Sequence, residues 1–143
     1  MKISVFTDKN REEEIVIFAH EETELINQIK SLINDYSSQI TGFKENEIYQ
    51  LKATDIYCFA VENNKVFAIT ENDKFLLKNR LYSIEERLSS DFIKINKSCI
   101  ANIKKIERCD AAITGTLMVR FKNGYTDYVS RRSVKSVKER LGI

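Results

Sequence analysis

The stretch Phe92-Ile93-Lys94-Ile95-Asn96-Lys97-Ser98-Cys99-Ile100-Ala101-Asn102-Ile103-Lys104-Lys105-Ile106 decides how the rest of the chain is read. Apolar Phe92, Ile93 and Ile95 lead into a polar trio, Asn96-Lys97-Ser98. Ile100, Ile103 and Ile106 follow, with lysines between the last two. Two short β-branched runs around a polar tip predict strand, loop, strand, with a cationic apex. Further along, Tyr128-Val129-Ser130-Arg131-Arg132-Ser133-Val134 predicts a strand that hands over to a helix through two arginines.

Outward from that stretch, short strands are expected at Glu47–Leu51, Ile56–Val61, Lys65–Thr70 and Lys74–Leu77. Glu62-Asn63-Asn64 and Glu71-Asn72-Asp73 supply turn chemistry between them, because Asn tolerates left-handed φ. Leu81, Ile84 and Leu88 space a short helix over Asn79–Ser89. Thr116–Phe121 and Tyr125–Val129 flank Lys122-Asn123-Gly124, and Asn-Gly between alternating runs is a strong hairpin signal. Val134, Val137 and Leu141 give a last helix its apolar face, with Gly142 where a C-terminal cap belongs.

Before residue 43 the pattern changes. Lys2–Thr7 and Glu14–Ala19 read as strands joined by a turn at Asp8-Lys9-Asn10-Arg11. Leu25, Ile26, Ile29, Leu32, Ile33 and Tyr36 then form a helical stripe over Glu22–Tyr36, with acids in its first turn. Ser37–Glu47 is polar and contains Gly42, which places a boundary there. The expected organisation is a small strand–helix appendage over 1–42 and a main domain over 43–143. The fold class is α+β, mainly β, with short helices at the edges.

A chain of 143 residues, 43% hydrophobic, is long enough for one ordinary core. No apolar run reaches the ~18 residues a membrane span needs, and the first residues lack the apolar core of a signal peptide. Three widely spaced cysteines, Cys58, Cys99 and Cys109, argue against a disulfide framework and for a reducing cytoplasm. The net charge of +2 hides an asymmetry. Residues 1–40 carry four basic side chains against eight acidic ones, whereas residues 94–143 carry twelve against four. A basic half on a near-neutral protein is the footprint of a polyanion-binding face, or of a solvated lysine-rich surface.

An enzyme reading fares badly. His20 is the one histidine, no Cys-x-x-Cys pair exists, and the four glycines build no phosphate loop. No metal or cofactor is expected, and Cys99 is expected to be a buried, inert thiol. Binding is the better reading. Asn96 and Lys97 at a loop apex can address adenine and guanine edges or a phosphate, and Arg131 and Arg132 sit at a helix start that favours anions. One of these arginines is expected to pack its stem or to pair with an acid, Asp127 being close in sequence. Asn102 is expected to tie a turn. Phe92, Phe121, Tyr125 and Tyr128 could stack single-stranded bases, but their alternation beside valines and isoleucines favours cross-strand packing.

Together, the Phe92–Ile106 stretch and the Ser130-Arg131-Arg132-Ser133-Val134 segment resemble the LytTR family of bacterial DNA-binding domains. The match is to an F-x-R/K-x-H/N-x/K-S-x-x-V/A-N-x-x-x-I segment followed by a helix start with arginines. The resemblance covers roughly 43–143 and implies a LytTR-type multi-sheet β domain. It also implies a non-enzymatic, sequence-specific regulator of transcription that binds double-stranded DNA by placing loops in successive major grooves. The family's contact positions map to Asn64 and Lys65 in the Asn63-Asn64-Lys65 turn, to Asn96 and Lys97, and to Arg132, with Arg131 beside it a candidate from its place at the helix start. Paired direct repeats, and so a homodimer on DNA, are implied in the same way. So is a stand-alone arrangement in which the appendage replaces a receiver and its helix could meet an inhibitory membrane protein. The rival reading is a protein–protein adaptor whose basic face meets an acidic partner, and a third is single-stranded RNA binding.

Overall fold

Hairpins dominate because the residues at their tips permit them. The computed structural model describes residues 1–12, 14–37, 39–111 and 115–143. Two hairpin turns use consecutive left-handed residues, Glu45 (φ 50°) with Asn46 (φ 67°) and Asn63 (φ 51°) with Asn64 (φ 64°). Two positive φ values in succession define the tight hairpin turn whose twist matches that of the flanking strands. They join β1 (Gln39–Lys44) to β2 (Glu47–Lys52), and β3 (Cys58–Glu62) to β4 (Lys65–Ile69). β5 (Lys74–Leu77) follows, then α2 (Leu81–Arg87), β6 (Phe92–Asn96), β7 (Cys99–Asn102), β8 (Ile106–Ala111), β9 (Leu117–Phe121), β10 (Thr126–Val129) and α3 (Val134–Leu141). The helix α1 (Glu24–Ser37) precedes them all.

Among the described residues the ten strands form two antiparallel sheets. One has the order β2-β1-β5-β4-β3-β7-β6, the other β10-β9-β8. β3 lies inside the large sheet and is covered on both faces. Cys58 and Ala60 point to one side, where Ile95, Cys99 and Ala101 meet Leu117, Val119, Phe121 and Val129 of the small sheet and Val137 of α3. Phe59 points to the other, against Val66, Phe75, Leu77 and Ile100 and against Leu81 and Ile84 of α2. Successive strand residues face opposite ways, so one strand feeds two cores. The β9–β10 hairpin closes as its Asn-Gly signal predicts: Gly124 takes φ 90°, and Asn123 Oδ1 accepts from Tyr125 N at 3.0 Å. Gly142 ends α3 with φ 74°.

The segments Lys2–Thr7 and Glu14–Ala19 are not strands: no ladder pairs them among the described residues, and Ile3, Val5, Phe6, Val16 and Phe18 are exposed. Alternating apolarity makes a strand only where a neighbouring edge completes its hydrogen bonds, and an isolated pair is marginal. The turn between them does form, with Asp8 Oδ1 accepting from Asn10 N at 2.9 Å. Two strands escaped the sequence reading. β1 carries Gly42, buried where β2 and β5 close in. β8 reads Ile-Glu-Arg-Cys-Asp-Ala because it is the charged edge of the small sheet. Since β1 starts at Gln39 and pairs with β2 throughout, a boundary drawn between 42 and 43 falls inside a strand.

Candidate nucleic-acid interface

Three tips meet at one end of the molecule, and backbone hydrogen bonds explain why. β3 pairs with β7 so that Ala60 lies opposite Cys99, and Val61 N donates to Ser98 O at 2.9 Å. That sets the Asn63-Asn64 turn beside the Lys97-Ser98 tip. Ser130 N then donates to Ile95 O at 2.8 Å, bringing the Ser130–Ser133 turn against the far side of β6. The β3–β4 turn, the β6–β7 loop and the turn into α3 are therefore consecutive neighbours, although the first and last are far apart in sequence.

Asn64, Lys65, Lys97, Arg131 and Arg132 are all exposed. None of the ion pairs among the described residues involves Lys65, Lys97, Arg131 or Arg132. Lys94, exposed on β6, and Lys135, exposed in the first turn of α3, add cationic side chains that sequence reasoning did not single out. The available signal for Lys94 was its place in the strand alternation, opposite in facing to buried Ile95. Arg131 and Arg132 stand in the turn before α3 rather than on the helix itself, which begins at Val134. Ser130 O accepts from both Ser133 N (2.9 Å) and Val134 N (3.2 Å), so this turn is tied to its own first residue.

Asn96 departs from the expectation that it faces DNA. It is 2% exposed, and its amide is fully engaged inside the fold. Nδ2 donates to Asp127 Oδ1 (3.1 Å) and to Tyr128 O (2.8 Å), while Oδ1 accepts from Ser98 N (2.8 Å). One side chain thus fastens the Lys97 tip to β10, the strand that carries the arginine turn. Asp127 is correspondingly not an arginine's partner: besides Asn96 it takes Tyr128 N at 2.8 Å. Asn102 ties a turn as expected, accepting from Lys104 N at 3.1 Å and donating to Ile56 O at 2.9 Å.

Cys99 is fully buried. Its hydrogen bond with the Cys58 thiol, followed by burial, pushes its pKa well up, so it stays protonated and a poor nucleophile. The aromatics pack. Phe92 lies 5.7 Å from Phe59 between ring centroids, Phe121 6.0 Å from Tyr125, and Tyr128 alone of the four is exposed. Burial pushes the Tyr125 hydroxyl far up as well.

The LytTr DNA-binding domain model matches residues 46–142, a span that holds all three tips. The chain belongs to this LytTR family. Two similar curated proteins are "uncharacterized HTH-type transcriptional regulators" of Staphylococcus aureus. The one from strain NCTC 8325 / PS 47 is 37% identical and the one from strain MW2 is 38% identical. Each aligns over 146 residues, 100% of this chain and 99% of the relative. Among solved structures, the LytTr DNA-binding domain of a Bacillus cereus protein superposes with a TM-score of 0.69 at 20% identity, covering 74% of this chain and 98% of that one. This LytTR chain is a DNA-binding transcription regulator. Its α2 and α3 are separated by five strands, and the end where the three tips meet is built from hairpin turns and a strand-to-helix turn. No described helix is long and apolar enough to cross a membrane.

Proposed function

We propose that this regulator reads a specific double-stranded sequence by setting its tips into successive major grooves. Lys97 and Arg132 reach base edges, Asn64 and Lys65 engage the neighbouring groove and its backbone, and Arg131 and Lys94 hold phosphates. Asn96 is a positioning residue in this scheme and touches no DNA. The observation that carries the reading is the adjacency of three exposed, cationic or amide-bearing tips, two of them fastened together by Asn96. Phosphate contacts fix register, and base-edge contacts give sequence. Two copies on paired direct repeats supply the affinity a single small domain lacks. The start of α1, acidic at Glu24, with exposed Leu25 beside it and exposed Leu32 about two turns on, is the surface an inhibitory membrane protein would engage.

Selection from a random duplex library tests this directly, followed by titration of the winning sequence against a scrambled one. A recovered motif bound well above the scrambled duplex is expected. Equal affinity for both would refute specific reading and favour an adaptor whose basic face meets an acidic protein.

A further inference from the structure

The first nineteen residues hold more uncovered apolar surface than a monomer usually shows. Ile3, Val5, Phe6, Ile15, Val16, Ile17 and Phe18 are all exposed, Phe6 to 91% and Phe18 to 95%. Together they present on the order of 500–900 Å² per copy. The largest apolar patch of an ordinary monomer is about 300–600 Å², and a stable interface takes roughly 800 Å² from each partner. Ile15 to Phe18 can supply on the order of half of that, and Ile3, Val5 and Phe6 the remainder. Ile15, Ile17 and Ala19 line one groove with Ile26, Ile29 and Ile33 of α1, which is the alternation of a strand laid on a helix. Val16 and Phe18 face the other way, uncovered, and no ladder uses this backbone among the described residues.

We propose that residues 14–19 are the seam of a twofold dimer of this chain, in which two copies add their strands antiparallel about Ile17. The sequence is complementary to itself in that register. Ile17 meets Ile17 of the second copy, Val16 meets Phe18, Ile15 meets Ala19, and Glu14 meets His20, an acid against an imidazole. Five consecutive uncharged residues keep the appendage's excess acid off the seam. Pairs of an aromatic with a β-branched side chain are favourable cross-strand neighbours, and a self-complementary patch is what a twofold interface requires. Main-chain pairing would complete the hydrogen bonds that the segment lacks alone. The inference rests on the proposal that two copies act together, and it adds where they join, away from the proposed DNA-facing tips. Because a twofold relates the seams while direct repeats relate the tips by translation, it requires the appendage to turn freely against the main domain of each copy.

The test uses the full-length protein. Sedimentation from about 1 to about 100 μM, a range that reaches weak interfaces of this size, is expected to show a dimer. Phe18→Asp is expected to sediment as a monomer while still binding a duplex with one site, losing only the gain seen at paired sites. Ile17→Cys distinguishes register from folding failure. Antiparallel pairing puts the two Cα atoms about 4.5–5.5 Å apart, within a disulfide's span. Mild oxidation should therefore link this variant as a dimer and leave the wild type unlinked. A wild type that stays monomeric throughout, or an Ile17→Cys protein that does not link, overturns the proposal. Loss of specific DNA binding by a dimeric wild type would instead count against the proposed function alone.

Discussion

At the residue scale, Asn96 and Lys97 are neighbours with opposite assignments. Asn96 is buried with three hydrogen bonds, so its truncation leaves Ser98 N–H and Tyr128 C=O without their partner. Asn96→Ala is expected to lower unfolding free energy by about 1–3 kcal/mol, measured by urea denaturation. Asn96→Asp sets a second carboxylate against Asp127, and its deficit should shrink as the pH falls and one of the two takes up a proton. Lys97→Ala and Arg132→Ala open no cavity. Each is expected to leave the melting temperature unchanged and to weaken binding to the selected duplex by about 1–3 kcal/mol. An unfolded Lys97→Ala protein, or one that binds at full strength, would remove that residue from the proposed contacts. Thiol chemistry gives an independent check on burial. Under native conditions an aromatic disulfide reagent should modify at most Cys109, the half-buried thiol, whose pKa burial also raises. All three cysteines should react only after denaturation.

At the scale of elements, Gly42 shows what the chain's own text concealed. In sequence it looks like a linker residue in the mostly polar run 37–47. In the fold it sits mid-strand, where a Cβ would lie 2.8 Å from both Leu51 Cδ1 and Phe75 Cβ. Gly42→Ala is therefore expected to destabilise by about 1–3 kcal/mol without touching the proposed DNA-facing end, a split that melting and duplex binding would reveal together. Because β1 is part of the large sheet, a fragment from Gln39 to Ile143 should fold with a mainly β circular dichroism spectrum. One begun at residue 43 loses most of β1 and should melt lower. Most other elements were legible, since alternation, Asn-rich turns and Asn-Gly are local signals that tertiary packing reinforced here. β8 and the N-terminal segments were not. The first is an edge strand whose charges mask its pairing, and the second has apolar alternation but pairs with no sheet edge among the described residues. The candidate site was legible as a set of loop tips. That Asn96 turns inward was not, because the strand that receives its amide lies more than thirty residues downstream.

The whole molecule carries its charge unevenly, and that has a measurable consequence. Twelve of the 23 basic side chains lie in residues 94–143. Several are committed elsewhere: Lys104 to Asp91, Arg108 to Asp110 and Arg120 to Glu107, while Lys105 lies over the Tyr57 ring. Lys94, Lys97, Arg131, Arg132 and Lys135, without acidic partners among the described residues, lie at or beside the tips, whereas Lys122 sits on the β9–β10 turn at the other end. Each phosphate engaged releases condensed counterions, so log K should fall against log[salt] with a slope near −0.9 per contact. About four to six contacts per copy are expected, giving a slope between about −3.5 and −5.5 for a single site. Preference for the selected sequence over scrambled DNA should persist across ~50 to ~250 mM salt, because base-edge contacts and not phosphate contacts carry it. Lys94→Ala should then reduce the slope by about one unit while leaving the preference intact, whereas Arg132→Ala should flatten the preference. If every basic substitution changed only the slope, the three tips would be a general polyanion face. The specificity would then have to come from the shape of the DNA.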